Sequence, residues 1–172
     1  YYLALTGYRP IVFEKNEKPG GMLTYGIPSY KLEKDVVEAE IDIIRTLGVE
    51  IKCGVEVGKD ITLDELRKDG YEAFYIAIGC QGSRKSGVDG EDADGVMSAV
   101  DILHEIAENH DLDLKGNKTV VIGGGNVAVD VARSTKRCGA DVLGMFCLES
   151  REEMPASEEE IFETEDEGIQ IN

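Results

Sequence analysis

The sequence predicts an α/β fold with parallel sheets. Segments with strand-like and helix-like patterns alternate along the chain, and one continuous apolar run, residues 73–78, is typical of a parallel strand buried on both faces. The composition agrees, since 42% apolar and 31% charged residues are typical of a folded, soluble chain. At 172 residues the chain is long enough for one domain or two small ones.

The net charge of −17 and the cysteine spacing exclude some classes of function. An acidic surface repels phosphate backbones, so we expect no nucleic acid partner. No apolar run approaches the roughly 20 residues that a membrane span needs. Scattered cysteines without a Cys-x-x-Cys pair predict no metal site and favour a reducing, cytoplasmic location. The cysteines are Cys53, Cys80, Cys138 and Cys147.

The chain begins in what looks like the last turn of a helix, because Gly7 suits a C-terminal helix cap. A strand follows at residues 10–14, and turn-forming residues predict a loop at 16–28. An aliphatic stripe predicts a helix over residues 34–47. Since a helix with nothing before it is rarely a natural start, we expect the chain to be a piece of a longer protein.

Three further elements complete the first half. Alternating residues predict a strand at 49–53, continued by valines further on. A short helix is predicted at 62–68, because Thr62 and Glu65 have the spacing of a capping box. The apolar run at 73–78 is predicted to be the buried strand.

A glycine-rich, charged segment at residues 81–95 predicts a crossover between two domains, 1–95 and 96–172. In the second domain, helices and strands again alternate, and the acidic tail has the default interpretation of a solvated helix face. The predicted elements are a helix at 98–109, a strand at 119–122, a helix ending near 137, a strand at 142–147 and a helix at 157–167.

The segment Gly123–Ala128 fits Gly-x-Gly-x-x-Ala between a predicted strand and a predicted helix. Gly123 permits the tight turn, Gly125 lets a pyrophosphate approach the backbone, and Ala128 lets the helix pack close to the sheet. An acidic residue about 20 positions later is expected at the ribose, and Glu149 fits. Asn126 either donates to a phosphate or caps the helix. The alternative is a glycine turn without a nucleotide.

The first half repeats part of this pattern. Glu14 at the end of a strand is typical of the latter part of a second dinucleotide unit, whose phosphate loop would precede Tyr1. Gly20 and Gly21 offer open backbone amides to a flat ring or a phosphate. Gly79 ends the predicted strand where α/β sheets place ligands. The alternatives are a solvated acid, a surface turn and an ordinary strand terminator.

Several segments together resemble the glutamate synthase small-subunit family of flavin- and nicotinamide-dependent oxidoreductases. The order and spacing of the segments match that family over nearly the whole chain. They are Phe13-Glu14-Lys15, Pro19-Gly20-Gly21-Met22-Leu23, Tyr25-Gly26-Ile27-Pro28, Ala77-Ile78-Gly79, the run from Gly123 to Asp130, and Ser150-Arg151-Glu152-Glu153-Met154-Pro155-Ala156.

The resemblance implies Rossmann-like dinucleotide-binding units, the first truncated at its N-terminus, with FAD in the first and NAD(H) or NADP(H) in the second. Hydride would pass from NAD(P)H to FAD, and electrons would pass on to an iron–sulfur domain or large subunit. No catalytic residue is singled out, and the chain alone is expected to be inactive and to lose FAD. The candidate cofactor-binding residues are Glu14, Gly20, Gly21, Met22, Leu23, Ile78, Gly79, Gly123, Gly125, Asn126, Val127, Ala128, Glu149 and Arg151.

Two other functions stay open: a non-catalytic electron-transfer or regulatory module of the same fold, and the nicotinamide-binding domain of another dehydrogenase. Where the family commonly has Tyr-Arg-Arg, this chain has Cys147-Leu148-Glu149. The resemblance therefore implies a preference for NADH over NADPH, with Arg151 as the remaining candidate for a 2′-phosphate.

Overall fold

The computed structural model describes residues 1–83, 85, 87–109 and 111–172. These residues form two compact units. The predicted crossover at 81–95 includes Arg84 and Ser86, which lie outside the described residues, and the domain boundary at residue 95 stays a prediction. The first unit contains residues 1–24 and 29–80, and the second contains 25–28 and 81–172.

The first unit contains a parallel strand pair in which β1 pairs with β2 from Ile11 opposite Glu50 to Glu14 opposite Cys53. Helices lie between these strands along the chain, as a parallel connection requires. The helix α2 ends at Tyr25, where the chain passes to the second unit. The elements are α1 (Tyr2–Leu5), β1 (Ile11–Glu14), α2 (Met22–Tyr25), α3 (Lys34–Thr46), β2 (Glu50–Cys53) and α4 (Leu63–Lys68).

Local sequence signals account for most of these elements. Gly7 follows α1 with φ +90°, which confirms the predicted C-terminal cap. Thr62 and Glu65 form the predicted capping box at α4. Val37 on α3 and Leu66 on α4 are buried.

The predicted strand at residues 73–78 is wrong, because these residues form no regular secondary structure. Tyr75 is 88% exposed and Ile78 is 83% exposed. Within the described ranges no strand pairs with this segment. An apolar run becomes a buried strand only when a neighbouring strand satisfies its backbone groups, so the pattern alone was insufficient.

The second unit contains the parallel pair β3–β4, connected through α6. The C-terminus adds a further edge, since Met145 forms a parallel bridge with Ile171. The N–H of Met145 donates to Gln170 O at 2.8 Å, and the N–H of Asn172 donates to Met145 O at 2.9 Å. The elements are α5 (Ala99–Glu108), β3 (Lys118–Ile122), α6 (Asn126–Arg137), β4 (Asp141–Phe146), a 3-10 turn (Arg151–Glu153) and α7 (Glu158–Asp166).

The core of the second unit lies around α6. Val129 and Ala132 on this helix and Met145 on β4 are completely buried. The same cluster includes residues from α5, α7 and β3 and from the segments on either side of α7. On the sheet, Ile122 at the end of β3 is 86% exposed, so the core occupies one side of this strand.

The acidic helix α7 is not simply the solvated face that was predicted. The carboxylates of Glu160, Glu163 and Glu167, in or next to this helix, surround Arg133 of α6. The Arg133 residue is only 5% exposed. Its guanidinium lies 2.5 Å from Glu163, 2.8 Å from Glu167 and 3.4 Å from Glu160. Partial burial would raise the pKa of Glu167, but hydrogen bonds from Arg137 and Arg133 outweigh it and lower that pKa.

Candidate functional site

The glycine turn lies between β3 and α6, at the carboxyl end of the parallel pair. The N–H of Gly123 donates to Phe146 O at 2.8 Å, so the turn begins as a continuation of the ladder. Gly125 is the N-cap of α6. The first amides of an α-helix lack intrahelical acceptors and carry partial positive charge, which suits an anion.

Glycine is favoured at the first and last positions of this turn, Gly123 and Gly125, for different structural reasons. Gly123 has φ +136°, and a Cβ there would lie 3.3 Å from the Cβ of Ala128. L-residues with a side chain rarely adopt that conformation, and a side chain on Gly123 would also crowd Ala128. A Cβ on Gly125 would meet no atom within 4 Å, so open space lies beside the start of α6. Val127, in the first turn of α6, is half exposed.

Gly124 has a role that sequence reasoning missed. It is buried, and a Cβ there would lie 3.0 Å from the Cβ of Cys147 and 3.4 Å from the carboxylate of Glu149. The residues that follow β4 therefore pass directly over the middle of the glycine turn. The sequence signal for this role was that Gly124 is itself a glycine, although the Gly-x-Gly-x-x-Ala pattern accepts any residue at that position.

Ala156 and Ser157 donate further hydrogen bonds to the glycine turn and the start of α6. The N–H of Ala156 donates to Gly124 O at 3.1 Å. The N–H of Ser157 donates to Asn126 Oδ1 at 3.0 Å. The prediction that Asn126 caps α6 is wrong, since Gly125 is the N-cap and the Asn126 amide oxygen binds Ser157; donation to a phosphate stays a prediction. Contacts over 31 residues leave no local signal in a sequence.

The structure brings Glu149 to the glycine turn but gives Arg151 another partner. Glu149 is exposed, and its backbone oxygen accepts from Cys147 Sγ at 3.5 Å. Arg151 donates two hydrogen bonds to Glu165, with Nε–Oε1 at 3.0 Å and Nη2–Oε2 at 2.7 Å. These bonds raise the pKa of Arg151 and lower the pKa of Glu165, so both are charged near neutral pH.

In the first unit, Glu14 ends β1 and its Oε1 accepts from Asn16 N at 2.9 Å. The glycine pair further along forms a turn with positive φ, +116° at Gly20 and +55° at Gly21. A Cβ on Gly20 would collide with Oγ1 of Thr24, which itself donates to Pro19 O at 2.7 Å. Glycine at that position is therefore required by the turn, with or without a ligand.

The remaining candidates of the first unit are on the surface. Met22 and Leu23 are exposed on α2. Ile78 and Gly79 lie in the exposed segment where the strand was predicted. Tyr25 is buried in the second unit, where its ring stacks on His104 at 4.5 Å. The cofactor roles of these residues stay predictions.

Two further properties concern the described residues as a set. Among them, no group of three or more His, Cys, Asp or Glu side chains has a geometry suited to a metal ion. All four cysteines, which are all described, are free thiols. None of the described helices has the length and hydrophobicity of a membrane span.

Comparison with known proteins adds a family. The family described as pyridine nucleotide-disulphide oxidoreductase matches residues 2–171. The chain is 42% identical to the NADP(+)-dependent formate dehydrogenase subunit beta of Moorella thermoacetica over 98% of this chain and 24% of that protein. It is 34% identical to the glutamate synthase [NADPH] small chain of Escherichia coli over 98% of this chain and 38% of that protein.

A further relative is the NADPH-Fe(3+) oxidoreductase subunit beta of Geobacter sulfurreducens, 37% identical over 99% of this chain and 26% of that protein. Among solved structures, FprA from Mycobacterium tuberculosis superposes with a TM-score of 0.73 at 24% identity, over 96% of this chain and 43% of that chain. This likeness confirms the α/β, Rossmann-like fold. The chain spans roughly a quarter to two-fifths of the length of the relatives described above.

Proposed function

Because the chain belongs to the pyridine nucleotide-disulphide oxidoreductase family, we propose that it is part of an enzyme that transfers hydride from NAD(P)H to FAD. Its second unit binds the nicotinamide dinucleotide, and its first unit contributes to the FAD site. The single observation that carries this proposal is the open space beside Gly125 at the start of α6.

The residues of the second unit fit a dinucleotide. The first-turn amides of α6 bind the pyrophosphate, and the missing side chain of Gly125 leaves room for it. Glu149 accepts hydrogen bonds from the ribose that follows. A bound nicotinamide would supply the hydride, and the first-turn amides of α6 and the carboxylate of Glu149 would hold the pyrophosphate and the ribose of that dinucleotide.

The first unit offers fewer groups to FAD. Glu14 ends a parallel strand, which is the position from which a carboxylate binds a ribose hydroxyl. The N–H of Asn16 donates to its Oε1, which orients the carboxylate toward a ligand hydroxyl. The amides around Gly20 and Gly21 lie in a turn without Cβ atoms and fit the flat edge of a ring.

The names of the relatives support a partner for the electrons. Two relatives are named as subunit beta, one of a formate dehydrogenase and one of an Fe(3+) oxidoreductase, and the third is named as the small chain of a glutamate synthase. We therefore propose that electrons leave the flavin through an iron–sulfur domain or large subunit, as in a glutamate synthase small-subunit type of assembly. A cytoplasmic location is part of the same proposal.

The test is Gly125→Val in the full-length protein. A Cβ placed there meets no atom within 4 Å, so the protein should fold and keep its flavin absorbance. Nicotinamide affinity, measured by calorimetry, should fall at least about tenfold, because the branched side chain occupies the space of the pyrophosphate.

Gly82→Val is the matched control. Gly82 also lies in the second unit, a Cβ placed on it would likewise meet no atom within 4 Å, and its φ is not positive. Nicotinamide affinity should be unchanged in this control. Unchanged affinity in Gly125→Val as well would contradict the proposed site, and a full-length protein without flavin would favour the non-catalytic module.

A further inference from the structure

We propose that Arg133 is a positioning residue for the nicotinamide site, because it fixes the position of helix α7 along helix α6. The inference rests on the proposed function, since it concerns the glycine turn at which the second unit would bind the pyrophosphate. Arg133 lies about two helical turns beyond Asn126, the first residue of α6. We therefore expect it to act on binding through α7 and not by contact with the ligand.

The first step is the connection between the start of α7 and the glycine turn. The N–H of Ala156 donates to Gly124 O at 3.1 Å. The N–H of Ser157, the N-cap of α7, donates to Asn126 Oδ1 at 3.0 Å. A displacement of α7 that lengthens these bonds by about 0.5 Å takes them outside the usual range of N–H···O distances. The position of α7 therefore decides whether the turn keeps both hydrogen bonds.

The second step is that apolar packing alone does not select one position for α7. Ile161 of α7 is 2% exposed and belongs to the same core cluster as Val129 and Ala132 of α6. Burial of apolar surface is favourable but non-directional, and it depends mainly on the area removed from water. It holds α7 against α6, and it leaves small displacements of one helix along the other inexpensive.

The third step is the directional contact that Arg133 adds. This residue is 5% exposed, and its Nη1 donates to carboxylates of α7 while its Nε donates to the C-terminal cap of that helix. The acceptors are Glu160, Glu163 and Glu167. A guanidinium presents its donors in a rigid, planar fork, so it binds all three carboxylates only in a narrow range of α7 positions. That range is the one in which the start of α7 reaches the glycine turn.

The experiment measures the dissociation constants of NAD⁺ and NADP⁺ in the full-length protein by calorimetry and follows the nucleotide that the unmodified protein binds more tightly. Arg133→Ala should weaken binding at least about fivefold, because a turn that is no longer fixed must be ordered by the ligand. Arg133→Lys should give a smaller loss, since an ammonium keeps the charge but lacks the fork.

Amide hydrogen exchange without nucleotide tests the same coupling directly. In Arg133→Ala, the amides of Ala156 and Ser157 should exchange at least about tenfold faster relative to the amides of β3 than in the unmodified protein. A role of Arg133 in general stability alone would leave this ratio unchanged.

Leu103→Ala is the control for lost stability, because Leu103 is buried on α5 in the same core cluster. Nucleotide binds only folded chains, so a less stable protein should show fewer binding sites with a dissociation constant within about twofold of the original. Arg137→Ala is the matched arginine control. Arg137 lies on the same helix and binds Glu167 at 2.7 Å, but it is exposed, so its loss should also change affinity by less than about twofold.

The inference fails if Arg133→Ala binds nucleotide as tightly as the unmodified protein, or if either control weakens binding as much as Arg133→Ala does. If Arg133→Ala does not fold, the comparison of Arg133→Lys with Arg137→Ala decides in the same way. If the unmodified protein binds neither nucleotide, the proposed function fails, and this inference fails with it.

Discussion

The two units of this chain contain the same arrangement, a parallel strand pair with helix between the strands, but they bury it to different extents. In the second unit, α6 is surrounded by completely buried side chains of its own and of β4. In the first unit, the crossover helix α3 buries only Val37, and the apolar residues 73–78 stay outside. The comparison shows that an apolar pattern predicts a strand or core only where other elements supply the opposite side.

The largest expected difference concerns apolar side chains of similar size in the two units. Met145→Ala should lower the free energy of unfolding by about 2–5 kcal/mol, because it leaves a cavity in a completely buried site. Ile76→Ala should change it by less than about 0.5 kcal/mol, because Ile76 is largely exposed. Denaturant unfolding monitored by circular dichroism measures both. Equal losses would mean that residues 73–78 pack in a core after all.

The next difference concerns arginines with carboxylate partners. Arg133→Ala should lower the free energy of unfolding by about 3 kcal/mol, because it leaves the carboxylates of Glu160, Glu163 and Glu167 together without their buried cation. Arg45 binds Glu38 and Asp42 on the exposed surface of α3, so Arg45→Ala should leave the unfolding midpoint nearly unchanged.

A measurement of both variants at low and high salt sharpens this arginine comparison. The loss in Arg133→Ala should persist at high salt, because buried charges are screened little. If Arg133→Ala unfolds at the same denaturant concentration as the unmodified chain, the network with α7 contributes nothing to stability.

The smallest effect lies inside the glycine turn. Gly124→Ala should lower the free energy of unfolding by about 1 kcal/mol, because the new Cβ would lie 3.0 Å from the Cβ of Cys147. Gly125→Ala should leave the free energy of unfolding nearly unchanged, because its Cβ enters open space. In a double-mutant cycle, Cys147→Gly should remove part of the Gly124→Ala cost, since the opposing Cβ is gone. Additive costs would show that Cys147 and Gly124 do not contact each other.

The elements that could be predicted are those with local signals. The capping box of Thr62 and Glu65, the cap at Gly7 and the strand–glycine–helix order around Gly123 each depend on residues a few positions apart, and the structure confirms them. Alternation along β2 likewise identifies its strand from neighbouring residues.

The features that could not be predicted depend on distant residues. Arg133 meets Glu167 over 34 positions, and Ala156 reaches back to Gly124. Arg151 binds Glu165 over 14 positions. Such contacts form because tertiary packing brings the partners together, and no periodicity or spacing in the sequence encodes them.

The two hydrogen bonds from Ala156 and Ser157 have a consequence for the entropy of binding. They fix the glycine turn while the protein folds, so the conformational freedom of this loop is already lost when a dinucleotide arrives. Because the loop is ordered before binding, its ordering does not subtract from the free energy of binding of the ligand. At the proposed dinucleotide site, association should therefore show a small entropic penalty from the loop, and the amide hydrogen exchange of the loop should change little on binding.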